Sequence, residues 1–116
     1  MSPKEQESVI MDMWEVPPGR QQELIDQLRE LLEQARRADG FVDGRIHASL
    51  DGSRVVSYST MRSAADHQSF QERNEIHERM QALEAIAVPH RSAYQLMCVF
   101  TATAETGPTQ VSPGAF

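Results

Sequence analysis

The chain has 116 residues, of which 40% are hydrophobic, and its 11 Lys and Arg against 17 Asp and Glu give a formal charge of −6. This length suits one domain, and the acidic balance argues against nucleic-acid binding, which requires a basic surface. No apolar run approaches the roughly 20 residues that span a bilayer, and the polar start is not a secretory signal. The single cysteine, Cys98, cannot close an intrachain disulfide, so we expect a cytoplasmic protein.

The first elements are a strand and a helix. Residues 8–16 carry apolar side chains on both faces, which is typical of a central strand. A Pro-Pro-Gly turn follows, and then a helix that ends before Gly40, a residue suited to a left-handed cap. Its apolar stripe consists of Leu24, Ile25, Leu28, Leu31, Leu32 and Ala35.

Two strand-like runs flank the Asp-Gly pair at 51–52, which favours a tight primed hairpin turn. With a two-residue loop, Ala48 opposes Val55 and Ile46 opposes Ser57. One face of the hairpin then holds Gly44, Ile46, Ala48, Leu50, Val55, Ser57, Ser59 and Met61. The other face holds Arg45, His47, Ser49, Arg54, Val56, Tyr58 and Thr60.

Ser63 and Asp66 form a variant of the capping box that opens a second helical region. Asn74 divides this region into two shorter helices, and Pro89 ends it. The apolar run 91–103 predicts a final buried strand. The buried side of the two helices is predicted to comprise Phe70, Ile76, Met80, Leu83 and Ile86.

The resulting order, β-α-β-β-α-β, predicts a ferredoxin-like α+β fold with an antiparallel sheet and helices on one face. We place this domain at 8–104, between flexible ends at 1–7 and 105–116. The opposite sheet face needs a cover, and a second copy of the sheet is the simplest one. We therefore expect a homodimer in which His47 and Tyr58 meet the partner.

A specific pattern lies in the hairpin, with Gly-Phe at 40–41, Ile-His-Ala-Ser at 46–49, Asp-Gly at 51–52 and Val-Val-Ser-Tyr at 55–58. This pattern resembles the actinorhodin-type quinone-forming enzymes of the antibiotic biosynthesis monooxygenase family, which are dimeric α+β barrels. The resemblance spans residues 9–101 and is densest over the hairpin.

The resemblance implies oxidation of an anthrone-like or phenolic ring of an aromatic polyketide to a quinone by O2, without flavin, haem or metal. An electron-rich phenolate can itself reduce oxygen, so such a protein needs to bind a flat aromatic, remove a proton and stabilise the anion. The four histidines also show no spacing typical of a metal site.

Three family positions differ in this chain. Where the branch has an asparagine, a tryptophan and a helix tyrosine, this sequence has Ser57, Met61 and His67. The hairpin histidine is retained as His47. By resemblance, His47 is the proton acceptor or an orienting group, and Ser57 with Tyr58 supplies hydrogen bonds.

Small side chains at Ser57 and Ser59 leave volume between the sheet and the helices, which predicts a cavity for a planar ligand. The predicted substrate-binding residues are Asp12, Trp14, Met61, His67, Phe70, Arg73 and Tyr94.

Several of these residues have a second interpretation. His47 also suits a dimer interface, and Trp14 also suits the core. Asp12 is either a base with a raised pKa or half of an ion pair at the dimer seam, with Arg45 or Arg91 as its partner.

The same scaffold also suits a polyketide cyclase or isomerase, or a non-catalytic ligand-binding dimer. Oxygen consumption separates these alternatives from a monooxygenase, because a cyclase rearranges its substrate without oxygen and a binding protein leaves it unchanged.

Overall fold

The computed structural model describes residues 6–103, which form a four-stranded antiparallel sheet with three helices on one face. The strand order β2-β3-β1-β4 confirms the predicted ferredoxin-like α+β fold. The predicted ends, 1–7 and 105–116, lie outside the described residues apart from Gln6 and Glu7. In chain order the elements are β1 (Ser8–Glu15), α1 (Gln21–Ala35), β2 (Phe41–Ala48), β3 (Arg54–Met61), α2 (Ala64–Gln71), α3 (Asn74–Glu84) and β4 (Val88–Gln95).

The β2–β3 hairpin has the predicted register, with Ile46 opposite Ser57 and Ala48 opposite Val55. Its loop is longer than predicted, because the strands end at Ala48 and resume at Arg54. Of the loop residues only Gly52 has a positive φ, of 80°. Because the register is unchanged, the side chains keep their predicted faces.

The Asp51 carboxylate closes this loop. Its Oδ1 accepts hydrogen bonds from the Ser49 hydroxyl at 2.8 Å and from the Ser53 amide at 3.0 Å. These bonds and one from the Ser53 hydroxyl lower the pKa of Asp51 to about 2. A side chain thus supplies the turn geometry that a second residue with positive φ was expected to supply.

The core lies between the sheet and the helices. The predicted stripe of α1 is the packing surface, with Leu24, Leu28 and Ala35 buried. Gly44 on β2 permits the close approach of α1, since a Cβ at this position would lie 3.0 Å from a methyl carbon of Leu32. The first cluster of buried residues consists of Trp14, Val16, Leu24, Leu28, Val55, Leu83, Ile86 and Ala87.

The last strand differs from the prediction of a buried strand at 91–103. β4 runs from Val88 to Gln95 and, apart from Pro89, its residues are exposed. It pairs only with β1 at the edge of the sheet, where a proline without an N–H is tolerated. The helices end at Glu84, before Pro89, and residues 96–103 form no strand.

The other side of the sheet, here called the outer face, is not covered by any helix of residues 6–103. Tyr94, Leu96, Met97, Val99 and Phe100 on or beside this face are exposed. Within the same range no helix combines the length and the apolar character needed to cross a membrane. The outer face includes Val9, Met11, Met13, Val56, Tyr58 and Tyr94.

Candidate active site

A cavity of about 370 Å³ lies between the sheet and the helices, and we call it the helix-side cavity. Ile10, Asp12, Ser59 and Arg91 form its sheet wall. The helices contribute four apolar side chains and five polar ones. These helix residues are Leu31, His67, Phe70, Gln71, Ile76, His77, Met80, Gln81 and Glu84. A concave space in which apolar side chains meet convergent polar groups is typical of a small-molecule site.

His67 is the buried histidine of this cavity, with 3% of its surface exposed. Its Nε2 lies 3.1 Å from the Ser59 hydroxyl and its Nδ1 lies 2.9 Å from the Ser8 hydroxyl. Burial lowers the pKa of His67, and the nearby Asp66 carboxylate opposes this shift. The imidazole is therefore neutral at pH 7 and fixed at both ring nitrogens.

The start of α2 places His67 at the sheet. Ser63 is the N-cap of this helix, and its hydroxyl oxygen accepts a hydrogen bond from the Asp66 amide at 3.2 Å. The capping pair predicted from the sequence is therefore present. It fixes the first turn of α2, and His67 in that turn points to Ser59 on β3.

Asp12 and Arg91 form an ion pair on the sheet wall. The Arg91 Nε–H donates to Asp12 Oδ1 at 2.7 Å. Burial raises the pKa of Asp12, Arg91 lowers it, and the charge of Glu84 raises it further. Of the two predicted partners, Arg91 is the one found. The pair lies on the helix side of the sheet, not on the opposite face.

Trp14, Ser57 and Met61 are core residues outside the helix-side cavity. The Trp14 indole N–H donates to the Ser57 hydroxyl at 3.1 Å. Trp14 and Met61 have no exposed surface. Ser57 borders only a narrow gap of about 40 Å³ in front of β3. The small serines thus leave less space at Ser57 than at Ser59.

His47, Tyr58 and Tyr94 lie on the outer face. The rings of His47 and Tyr58 stack at 6.4 Å between centroids, at an interplanar angle of 16°. Because neighbouring strand residues point to opposite faces, Ser57 and Tyr58 are separated by the sheet. The three residues predicted as catalytic therefore do not share one cavity.

Arg73 also lies apart from the helix-side cavity. Its guanidinium sits 5.7 Å from the centre of the Phe70 ring and pairs with Glu75 at 3.1 Å. Of the predicted site residues, the cavity brings together Asp12, His67 and Phe70.

Two polar residues that contact this site, Ser8 and Arg91, were not predicted as site residues. Ser8 lies 59 residues before His67, and the sequence offers Arg91 only as an ion-pair partner of Asp12. Strand pairing of β1 with β4 is the signal that places Arg91 beside Asp12. Among residues 6–103, no three His, Cys, Asp or Glu side chains are grouped to hold a metal ion.

Solved structures of several proteins share this fold. SnoaB, a cofactor-independent oxygenase from Streptomyces nogalater, superimposes with a TM-score of 0.75 at 14% identity, covering 81% of this chain and 96% of its own. Protein SO0527 from Shewanella oneidensis gives 0.71 at 20% identity, over 79% and 92% of the two chains. Rv0793 from Mycobacterium tuberculosis gives 0.67 at 14% identity, over 84% and 99%.

No curated protein sequence matches this chain. The family model described as antibiotic biosynthesis monooxygenase matches residues 8–82, which cover β1 to most of α3. The resemblance seen in the hairpin is thus confirmed at the level of the family. The chain belongs to the antibiotic biosynthesis monooxygenase family.

Proposed function

We propose that this protein is a cofactor-independent monooxygenase that oxidises an anthrone-like or phenolic polyketide to a quinone with O2 in the helix-side cavity. The observation that carries the proposal is a buried histidine, His67, held at both ring nitrogens beside a cavity that contains five apolar side chains. Family membership and the likeness to an oxygenase that uses no cofactor support it.

The substrate supplies all four of the electrons that reduce O2 in this reaction. Deprotonation gives a phenolate, which transfers one electron to O2, and the resulting radical pair forms a carbon–oxygen bond. The hydroperoxide that results loses water to leave a carbonyl. One oxygen atom of O2 enters the product, and the other leaves as water with two hydrogens of the substrate. The protein's part is to orient the ring, accept the proton and stabilise the anion.

Ser59 and His67 form the proposed proton route. Ser59 lines the cavity and lies within hydrogen-bond distance of His67 Nε2. If Nδ1–H donates to Ser8, then Nε2 is left to accept from the Ser59 hydroxyl. A substrate proton can then pass to Ser59 while the serine proton passes to His67. The role of proton acceptor, first predicted for His47, thereby moves to the histidine of the cavity.

The apolar part of the lining suits a flat aromatic. Ile10, Leu31 and Phe70 line the cavity on three elements, and Met80 adds an adaptable side chain. A volume of about 370 Å³ falls within the usual range for small-molecule sites, roughly 300–1,000 Å³.

The experiment is to mix protein with anthrone and naphthol substrates in air and to follow oxygen uptake and product mass. A buffer control corrects for unaided oxidation. We expect uptake above the control and a product that has gained one oxygen atom and lost two hydrogens. No uptake across the panel would refute the proposal.

A cyclase or isomerase using the same cavity is the second candidate. The Asp12–Arg91 pair and His67 favour it, because both are suited to acid–base chemistry that needs no oxygen. This candidate predicts a rearranged product of unchanged mass, or one changed only by water, without oxygen uptake. A non-catalytic ligand-binding dimer predicts binding of the compound without any change in it.

We further propose that the outer face packs against a second copy in a homodimer. The exposed apolar side chains of Tyr94, Leu96 and Val99 border a concave region of about 660 Å³ on this face. Exposed apolar surface of this kind is typical of protein interfaces. His47 and Tyr58 would then be interface residues. A cytoplasmic location remains a prediction from the single cysteine.

A further inference from the structure

Arg91 has a fixed position on the sheet wall of the helix-side cavity. It is the strand partner of Asp12 in the β1–β4 pair, and its Nε–H donates to Asp12 Oδ1 at 2.7 Å. Its Nη2–H donates to the Met80 sulfur at 3.8 Å. The guanidinium is thus held from β1 on one side and meets α3 on the other.

These contacts leave part of the guanidinium unused. Arginine carries five N–H donors, and among residues 6–103 it meets one carboxylate oxygen and one thioether, which is a weak acceptor. About a third of the Arg91 side chain, 34%, is exposed, against 12% for Asp12. Since both residues line the helix-side cavity, donors of Arg91 are available to a bound molecule.

The titratable and charged side chains around this cavity come from four elements. Asp12 on β1, His67 on α2, and His77 with Glu84 on α3 face it together with Arg91 on β4. Among the described lining residues, Arg91 is the one side chain that carries a permanent positive charge. Arg91 is therefore the fixed cation that can bind an anion formed in this cavity.

We propose that Arg91, positioned by Asp12, binds the oxyanion that the substrate carries after its proton is removed. This rests on the proposed function, because it concerns the phenolate formed in that reaction. The planar guanidinium offers donors in a fixed geometry, and Asp12 fixes its orientation before the substrate arrives. Arg91 would thus complement the proton route through Ser59 by stabilising the charge that the route creates.

The test measures the pKa of a bound phenol rather than turnover. 2-Hydroxyanthraquinone is a planar phenol with its central ring already oxidised, and its ionisation changes its visible absorption. We expect the wild-type protein to lower the apparent pKa of the bound phenol. Arg91→Gln should raise that pKa by about one unit or more, the usual effect of removing a neighbouring opposite charge.

Asp12→Asn provides a second variant with the opposite expected sign. The amide oxygen can still accept from Arg91 Nε–H, but the compensating negative charge is gone, so the pKa of the bound phenol should fall below the wild-type value. Arg45→Gln is the matched control, since Arg45 lies on the outer face over the Tyr58 ring and should leave the pKa unchanged.

The outcomes separate the two proposals. The role of Arg91 is refuted if the wild type binds the phenol and Arg91→Gln leaves the pKa of the phenol unchanged. It is also refuted if Arg91→Gln and Asp12→Asn shift that pKa in the same direction. Neither result refutes the proposed function of the helix-side cavity. If the wild type binds no planar phenol, the proposed function fails together with the role of Arg91.

Discussion

The indole N–H of Trp14 donates to the Ser57 hydroxyl at 3.1 Å across the β1–β3 pair, in the buried layer between sheet and helices. Ser57 is the residue at which the hairpin resemblance implies an asparagine in the family branch. In this chain its hydroxyl serves as an acceptor for a core side chain. The serine thus has a structural role that does not require contact with substrate.

Ser57→Ala should therefore reduce stability more than activity. Without the hydroxyl, the buried Trp14 N–H loses its partner, which costs about 1–3 kcal/mol. Ser69→Ala, at an exposed position of α2, is the control and should change stability by less than about 0.5 kcal/mol. Urea unfolding measures both. A hundredfold loss of oxygen uptake in folded Ser57→Ala protein would show that the serine acts on the substrate instead.

Gly40→Ala should be more destabilising than Gly52→Ala. Both glycines have a positive φ, 86° and 80°, and an alanine in this region costs about 1–2 kcal/mol. At Gly40 the new Cβ would also lie 2.4 Å from the Asp66 carboxylate, whereas at Gly52 nothing lies within 4 Å. Thermal unfolding of the wild type and both variants measures the loss of stability that each alanine causes. Equal losses would mean that Asp66 moves aside freely.

Stability should fall as the pH drops below the ordinary histidine pKa of 6.5, because burial lowers the pKa of His67. The unfolded chain then binds a proton that the folded chain resists, so acid favours unfolding from that pH downward. The raised pKa of Asp12 has the opposite effect on stability. Above the ordinary pKa of 3.8 the folded chain binds this proton more readily than the unfolded chain, so protonation of Asp12 favours folding.

His67→Gln should weaken the dependence of stability on pH below the ordinary histidine pKa. The measurement is the free energy of unfolding in urea between about pH 7 and about pH 5.5, around the ordinary titration of histidine. His77→Gln, at an exposed position of α3, is the control and should keep the wild-type slope. The same slope in the His67 variant would rule out a lowered pKa for this histidine.

A lysine on the outer face should weaken self-association. Val56→Lys places a charge in the centre of the face that we expect to be covered, where an unpaired charge is costly. Ala82→Lys, on the exposed side of α3, is the control. Analytical ultracentrifugation of the wild type and both variants measures the fraction of each protein that is dimeric. A monomeric wild type, or a Val56→Lys protein that remains a full dimer, would contradict the proposed interface.

The fold was largely predictable because its signals are local. The periodicity of α1 and the alternation of β2 and β3 fixed the packing faces, and the hairpin register survived an error in loop length. β4 was not predictable in the same way. Its residues Val88–Gln95 lie at a sheet edge, whereas the apolar residues at 96–100, which favoured a buried strand over 91–103, are exposed and form no strand.

The site was less predictable because it depends on which side of the sheet each residue faces and on distant partners. His47 and Ser57 lie on opposite faces of the sheet although both belong to the same hairpin. His67 was found through the helix position that it shares with the family tyrosine, but its partner Ser8 is remote in sequence. Arg91 became a candidate only when strand pairing placed it next to Asp12.

The most direct measurement compares His67→Gln with His47→Gln in oxygen uptake on one anthrone substrate, with labelled O2 and product mass. Removal of a general base typically lowers the rate about 10²–10⁴-fold, so we expect that loss at His67. The outer-face variant should retain activity, and one labelled oxygen atom should enter the product. A protein that loses its activity at His47 but keeps it at His67 would contradict a reaction in the helix-side cavity.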